Sequence, residues 1–108
     1  MRVVTWNVNG IRAAIRKGMD DWMAKIDADV WLLQEVRALP EQLPKDWELP
    51  SGHEVVWHPA EKKGYSGVAS FSRVGMEEIT RGIDTELDPD DLEGRVLTTK
   101  SAGLTCIN

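Results

Sequence analysis

Asp29-Val30-Trp31-Leu32-Leu33-Gln34-Glu35 is the stretch on which the fold turns. Val30 to Leu33, with Ala28 ahead of them, form the unbroken apolar run of a strand buried on both faces. The run stops at a polar pair, Gln34-Glu35. In open α/β sheets, ligands bind outside the carboxyl ends of the strands. A carboxylate at that point is carried on a rigid element and can hold a hard cation. Glu35 is therefore the first candidate site residue; a solvated strand end is the competing reading.

Working back towards the N-terminus, Arg2 to Val8 alternates Val, Thr and Trp. Both faces carry apolar or β-favouring residues, which predicts a central strand. Asn7, Asn9 and Gly10 close it with turn-forming, neutral hydrogen-bonding groups. Ile11, Ile15, Trp22, Met23 and Ile26 then fall at helical spacing, with Ala14 and Met19 in the same stripe. Gly18 costs up to about 1 kcal/mol relative to Ala and divides the stripe, so helices are expected over 11–17 and 19–27. Strand, helices and strand in succession form a crossover unit, and parallel neighbours bring Asn7 and Glu35 to one sheet edge. Arg12, Arg16 and Lys17 stand beside that edge; a cationic helix face is also commonly just solvated.

Working forward, Pro40, Pro44, Pro50 and Ser51-Gly52 make 38–52 a connection, anchored by Leu39, Leu43, Trp47 and Leu49. A single helical turn is expected at 41–43. His53–His58 and Ser66–Ser72 read as a hairpin, with Gly67 marking a bulge or a close backbone approach. Met76–Gly82 is a further strand. Arg95–Ser101 and Leu104–Ile107 form a second hairpin turning at Ala102-Gly103. The order specifies an α+β protein with a sheet-rich second half. The last apolar strand runs to Asn108 with no polar tail, so the chain is expected to be the N-terminal part, 1–108, of a longer domain.

Composition narrows the class. With 108 residues, 42% hydrophobic and 29% charged, the chain has the make-up of one small globular domain. No apolar run approaches the roughly 20 residues of a membrane span, and none follows Met1-Arg2-Val3-Val4 as a signal region. The single Cys106 lies in an apolar run and reads as a buried thiol. A cytoplasmic, reducing setting is the expectation. The net charge of −5 speaks against a nucleic-acid partner until its distribution is considered. Residues 1–73 carry ten acidic and ten basic groups, so the excess lies in the remainder. There Asp84, Glu86, Asp88, Asp90, Asp91 and Glu93 read as a solvated acidic loop without the pattern of a calcium loop.

Among the chemistry-bearing residues, His53 and His58 flank a strand on opposite faces and are expected to have ordinary surface or loop roles. No Ser-His-Asp arrangement, glycine-rich phosphate loop or water-activating base is readable. Hard-ligand chemistry remains. Asn7, Asn9 and Glu35 offer oxygen donors, and one carboxylate with waters commonly holds Mg2+ against a phosphate. Arg12, Lys17, Arg37, Lys62 and Lys63 could neutralise a phosphate backbone.

At this point the segments carry a resemblance. Thr5-Trp6-Asn7-Val8-Asn9-Gly10-Ile11-Arg12-Ala13 resembles the opening motif of the exonuclease III family of apurinic/apyrimidinic endonucleases. Leu33-Gln34-Glu35-Val36-Arg37 resembles its metal-binding motif. Lys63-Gly64-Tyr65-Ser66-Gly67-Val68-Ala69 resembles a DNA-touching loop, and Glu93-Gly94-Arg95-Val96 a further short match. The resemblance implies a four-layer α/β/β/α two-sheet sandwich of the DNase I-like kind. It implies metal-assisted hydrolysis of DNA phosphodiesters, 5′ to an abasic site or at a 3′ end, with Mg2+ (or Mn2+) as cofactor and double-stranded DNA as partner. By position, Glu35 would ligate the metal and Asn7 would help place metal and phosphate as a catalytic residue. Asn9 stands where some members have an Asp. Arg12, Ala13, Lys17, Arg37, Gly64 and Tyr65 would contact DNA; a Tyr packed on a hairpin is the alternative at Tyr65. Arg37 and Val36 replace the more frequent Lys and Thr of the motif. The family's remaining catalytic residues would fall after Asn108, so this polypeptide alone is expected to be catalytically silent. Phosphatases or phosphodiesterases of the same superfamily, and a non-catalytic DNA-binding fragment, are the alternatives.

Overall fold

Because its apolar run is continuous, β2 (Val30–Gln34) needs cover on both faces, and the rest of the chain supplies it. The structure is a computed structural model that describes residues 1–83 and 90–108. Asp84, Glu86 and Asp88 of the acidic stretch lie outside the described residues. Ahead of β2 come β1 (Val3–Asn7), α1 (Ile11–Arg16) and α2 (Met19–Ile26), matching the expected spans to within two residues. After it come one 3₁₀ turn at Pro40–Gln42, then β3 (Glu54–His58), β4 (Val68–Ser72), β5 (Glu77–Arg81), β6 (Leu97–Ser101) and β7 (Leu104–Ile107). Gly18 takes a left-handed conformation between the two helices, φ 96°, as the break requires.

The first sheet has the order β1-β2-β4-β3 and the second β5-β6-β7. β1 runs parallel to β2 with Asn7 opposite Gln34, so the crossover delivers both strand ends to one edge. β4 is antiparallel to both β2 and β3. One expectation is corrected here: β1 lies at the edge of the described sheet, with Val3, Thr5 and Asn7 exposed and Val4 and Trp6 half-buried. Two β-favouring faces describe a strand's composition but not how many neighbours it has.

Alternation along β2 and β4 builds two cores. Trp31, Leu33, Ala69 and Phe71 cluster with Ile11, Ala14, Met19 and Met23 of the helices. Val30 and Leu32, on the opposite face, meet Cys106 of β7. The single cysteine is thus the buried thiol that its apolar surroundings suggest. Ser70 and Ser72 from β4, and Thr99 and Ser101 from β6, are buried as well. Asn108 fastens the layers together. Its Nδ2 donates to the carbonyls of Leu33 (3.3 Å) and Ala69 (3.0 Å), while its Oδ1 accepts from Gln34 Nε2 at 2.8 Å. The β6–β7 turn is made by Ala102 (φ 49°) and Gly103 (φ 81°), the left-handed pair that a two-residue hairpin needs. Helices cover only the first sheet among the described residues, so three layers of the expected four are present. Among them, no helix is long and apolar enough to cross a membrane.

Candidate active site

The edge where β1 and β2 end is built from backbone that most residues avoid. Glu35 (φ 51°) and Arg37 (φ 54°) are left-handed, as are Asn9 (φ 49°) and Ser66 (φ 47°) around them. Each such non-glycine residue costs roughly 1–2 kcal/mol, which a fold sustains only when the surroundings fix the conformation. Here they do. Gly10 N–H donates to the Glu35 carbonyl at 2.8 Å, and Ile11 N–H to that of Val36 at 2.9 Å. From the other side, Val36 N–H donates to the Gly67 carbonyl (3.1 Å) and Arg37 N–H to that of Ser66 (2.8 Å). Val36 is fully buried as the plug of this loop. Gly67, at φ 87°, is the close approach expected from sequence: a Cβ there would sit 3.0 Å from Val36 Cγ2.

The loop presents the Glu35 carboxylate, whose side chain is 38% exposed. Asn7 Nδ2 donates to its Oε2, and Arg37 Nη2 lies 2.5 Å from its Oε1. The Asn7 amide is itself aimed, because its Oδ1 accepts from the Asn9 N–H at 2.9 Å. The Asn7 hydrogen bond, then that of Arg37, hold the Glu35 carboxyl below the usual carboxylate range against the opposing effect of burial. The charges of Arg37 and Arg95 add to this. The group is an ionised carboxylate open to solvent and ringed by cations.

The other expected site residues fall around it unevenly. Arg12 reaches the Arg37 carbonyl, Nη2 to O 3.5 Å. Asn9, Ala13 and Lys17 line a groove of about 420 Å3 together with Trp6 and Trp22. Gly64 and Tyr65 line a different, smaller cavity with Lys62 and Lys63. The donor set suits one kind of ion. Among the described residues, no three or more His, Cys, Asp or Glu side chains gather to cage a metal. A single carboxylate completed by waters could serve a hard, oxygen-preferring cation.

Two features escaped the sequence reading. Arg95 belongs to this edge: its charge acts on Glu35, and its guanidinium lies 5.5 Å from the Tyr65 ring centroid. The short Glu93-Gly94-Arg95 match was its only signal. The second is a correction. His58 is not a surface or loop histidine, nor is Asp91 part of a solvated loop; each is 4% exposed. His58 Nε2 and Asp91 Oδ2 lie 2.9 Å apart, and the same Oδ2 accepts from the N–H groups of Arg95 (2.9 Å) and Val96 (2.7 Å). A carboxylate can leave water when it gains three donors, and residues 33 apart in sequence show no such pairing in advance. His53 is half-buried, its Nδ1 set against the carbonyls of Pro50 and Ser51.

A family described as the Endonuclease/Exonuclease/phosphatase family matches residues 4–105. The chain belongs to this family. Among relatives, the exodeoxyribonuclease of Bacillus subtilis (strain 168) is 41% identical over 100 residues, 91% of this chain and 37% of that protein. The DNA repair nuclease APEX1 of Danio rerio is 38% identical over 102 residues, 93% of this chain and 32% of its own length. Among solved structures, the 3′-5′ exonuclease (NExo) of Neisseria meningitidis superposes over the whole chain, with a TM-score of 0.82 and 29% identity. An AP endonuclease from Archaeoglobus fulgidus does so with a TM-score of 0.80 and 30% identity. Both are covered to 40%, so the chain spans well under half of these family members.

Proposed function

We propose that these residues are the cation-holding and DNA-holding part of a Mg2+-dependent DNA-repair nuclease, one hydrolysing phosphodiesters at abasic sites or 3′ ends. One observation carries the reading: an ionised carboxylate, fixed by Asn7 and Arg37 on a strained loop, faces solvent amid arginines in a chain of net charge −5. Relatives described as a DNA repair nuclease and an exodeoxyribonuclease support the substrate class. Glu35 would hold the ion, Mg2+ or Mn2+, which when bound polarises a phosphoryl oxygen. Asn7 keeps the carboxylate aimed, and Asn9 aims Asn7. Arg37 divides its guanidinium between Glu35 and an incoming phosphate. Arg12 and Lys17 extend the cationic track along α1, and Gly64-Tyr65 approaches the duplex from the β3–β4 loop. Among the described residues no three His, Cys, Asp or Glu side chains gather here, and the histidine at this end of β3, His58, is buried on Asp91.

The test is binding of a short abasic-site duplex, followed by fluorescence anisotropy with and without Mg2+ over a salt series. Binding should favour the abasic over the intact duplex, weaken steeply with salt and strengthen with Mg2+. Glu35→Ala should remove the Mg2+ effect alone, and the 108-residue chain should bind without nicking. Binding that ignores Mg2+ and lesion equally would overturn the reading. Nicking that vanishes in Glu35→Ala would show that the chain carries its own water-activating group.

A further inference from the structure

A cleft of about 430 Å3 opens at the end of β2 remote from Glu35, between α2 and the 48–53 segment. Its apolar lining is Met23, Ala28 and Trp31, each at most 3% exposed. Its charged lining is three carboxylates, Asp20, Asp27 and Glu48, against the one guanidinium of Arg73.

The donors of this cleft are committed, and its acceptors are not. Arg73 Nη1 and Nε bind Asp27 Oδ1 (2.5 Å) and Asp29 Oδ1 (2.9 Å), and Nη2 donates to the Asp27 carbonyl at 3.1 Å. His53 Nδ1 lies 3.2 Å from the Pro50 carbonyl and 3.1 Å from that of Ser51. Two carbonyls can only accept, so the neutral ring carries its proton on Nδ1 and leaves Nε2 as a bare acceptor. That Nε2 is withdrawn from water and has no hydrogen-bond partner among the described residues. An acceptor buried without a donor is costly. Asp20 gives Oδ1 to the Trp47 indole N–H at 2.7 Å, while Glu48 has no ion pair among the described residues.

The unmet groups are acceptors, so the complementary ligand is a cation that only donates. An ammonium is compact and strongly hydrated. A guanidinium is planar and more weakly hydrated, and its five N–H bonds in a fixed fork can serve acceptors on both walls at once. An aliphatic stem behind it would lie on Met23 and Trp31.

We propose that this cleft binds a guanidinium group on a short aliphatic stem. Glu48 and Asp20 meet its charge, and His53 Nε2 accepts one of its N–H bonds. An arginine side chain of a protein partner and a free guanidino compound share this chemistry.

The test titrates n-butylguanidine, n-butylamine and Nα-acetyl-arginine methylamide into the 108-residue chain, followed by NMR. Butylguanidine should shift the Trp31 and His53 resonances saturably and move the His53 Nε2 nitrogen signal upfield, as acceptance of a hydrogen bond requires. Butylamine should bind more weakly. Glu48→Gln should weaken butylguanidine about threefold, the size of one exposed charge pair. Glu41→Gln, an equal charge change on the 3₁₀ turn, should leave it unchanged. A blocked arginine that binds at least as tightly as butylguanidine assigns the cleft to an arginine side chain; one that is shut out assigns it to a free guanidino compound. Absence of saturable shifts with either guanidine overturns the proposal. So does butylamine matching butylguanidine, or equal weakening by Glu48→Gln and Glu41→Gln, which would reflect net charge alone.

Discussion

Asp29 and Glu35 stand at the two ends of β2, and the chain treats them in opposite ways. Asp29 is wired to backbone: its Oδ2 accepts from the Arg2 N–H at 2.7 Å, and its own N–H and carbonyl bond Arg2 and Arg73. Its Oδ1 takes Arg73 Nε at 2.9 Å. Glu35 has a strained backbone whose carbonyl accepts from the Gly10 N–H, but its carboxylate, among the described residues, is held by side chains alone, Asn7 and Arg37. Both carboxyls are held below the usual range, Asp29 first by the Arg2 amide and then by Arg73. A depressed pKa alone therefore does not mark the site. What separates the two ends is whether the partners can leave without undoing the fold. At Asp29 they cannot; at Glu35 they can, and that end is free to exchange a guanidinium or amide for a ligand.

Asp91 extends the closed condition furthest, so its loss should be the largest effect. Asp91→Ala orphans the buried His58 and two part-buried backbone N–H groups, and unfolding in urea should show a loss of about 3 kcal/mol. A loss under about 1 kcal/mol would mean that the clasp is not what holds the turn. Next comes the direct contrast across β2. Asp29→Ala should lower Tm by several degrees and leave Mg2+-dependent duplex binding intact. Glu35→Ala should do the reverse. Equal Tm losses with equal binding losses would erase the distinction.

Much of this was legible, and the reasons are local. The 3.6 period, Gly18 and the unbroken run of β2 place α1, α2 and β2, and parallel pairing brings Asn7 to Glu35. Ala102-Gly103 announces its turn through the glycine. What was hidden depends on partners distant in sequence. His58 meets Asp91, Asn108 reaches Leu33 and Ala69, and Arg95 nears Glu35 only after the sheets stack. The left-handed backbone at Glu35 and Arg37 was also hidden, since neither residue type favours it and tertiary hydrogen bonds impose it.

Acid should sharpen the contrast less strongly. Asp29, Glu35 and Asp91 all have folded pKa values below the unfolded ones. For Asp91, burial pushes the carboxyl up, but the Val96 N–H, His58 and the Arg95 N–H outweigh it. Each group therefore contributes stability that is present above the unfolded carboxylate pKa of about 4, and that is lost as pH falls through the lower folded value. Stability should be level from about pH 5 to 7 and fall below about 4. Asp29→Asn should flatten part of that decline with or without Mg2+. Glu35→Gln should also abolish the pH dependence of Mg2+ binding. A decline that neither variant changes would assign acid sensitivity elsewhere.

The smallest effect compares two left-handed residues, one just before β2 and one just after it. Asp27 (φ 53°) and Arg37 (φ 54°) carry the same backbone cost, and glycine should relieve about 1 kcal/mol at either. Each also holds an ion pair, Asp27 with Arg73 and Arg37 with Glu35, both at 2.5 Å. At the closed end Arg73 also bonds the Asp27 carbonyl and both Asp29 groups, so removing the Asp27 carboxylate loosens a network and should cancel the gain. At the open end Asn7 still holds the Glu35 carboxylate when the Arg37 guanidinium is gone, so the gain should survive. Arg37→Gly should therefore melt at or slightly above the unaltered chain while binding duplex more weakly. Asp27→Gly should melt no higher and bind as before. If Asp27→Gly were the stabilised variant, the Arg73 network would be incidental and the two ends of β2 would differ only in exposure.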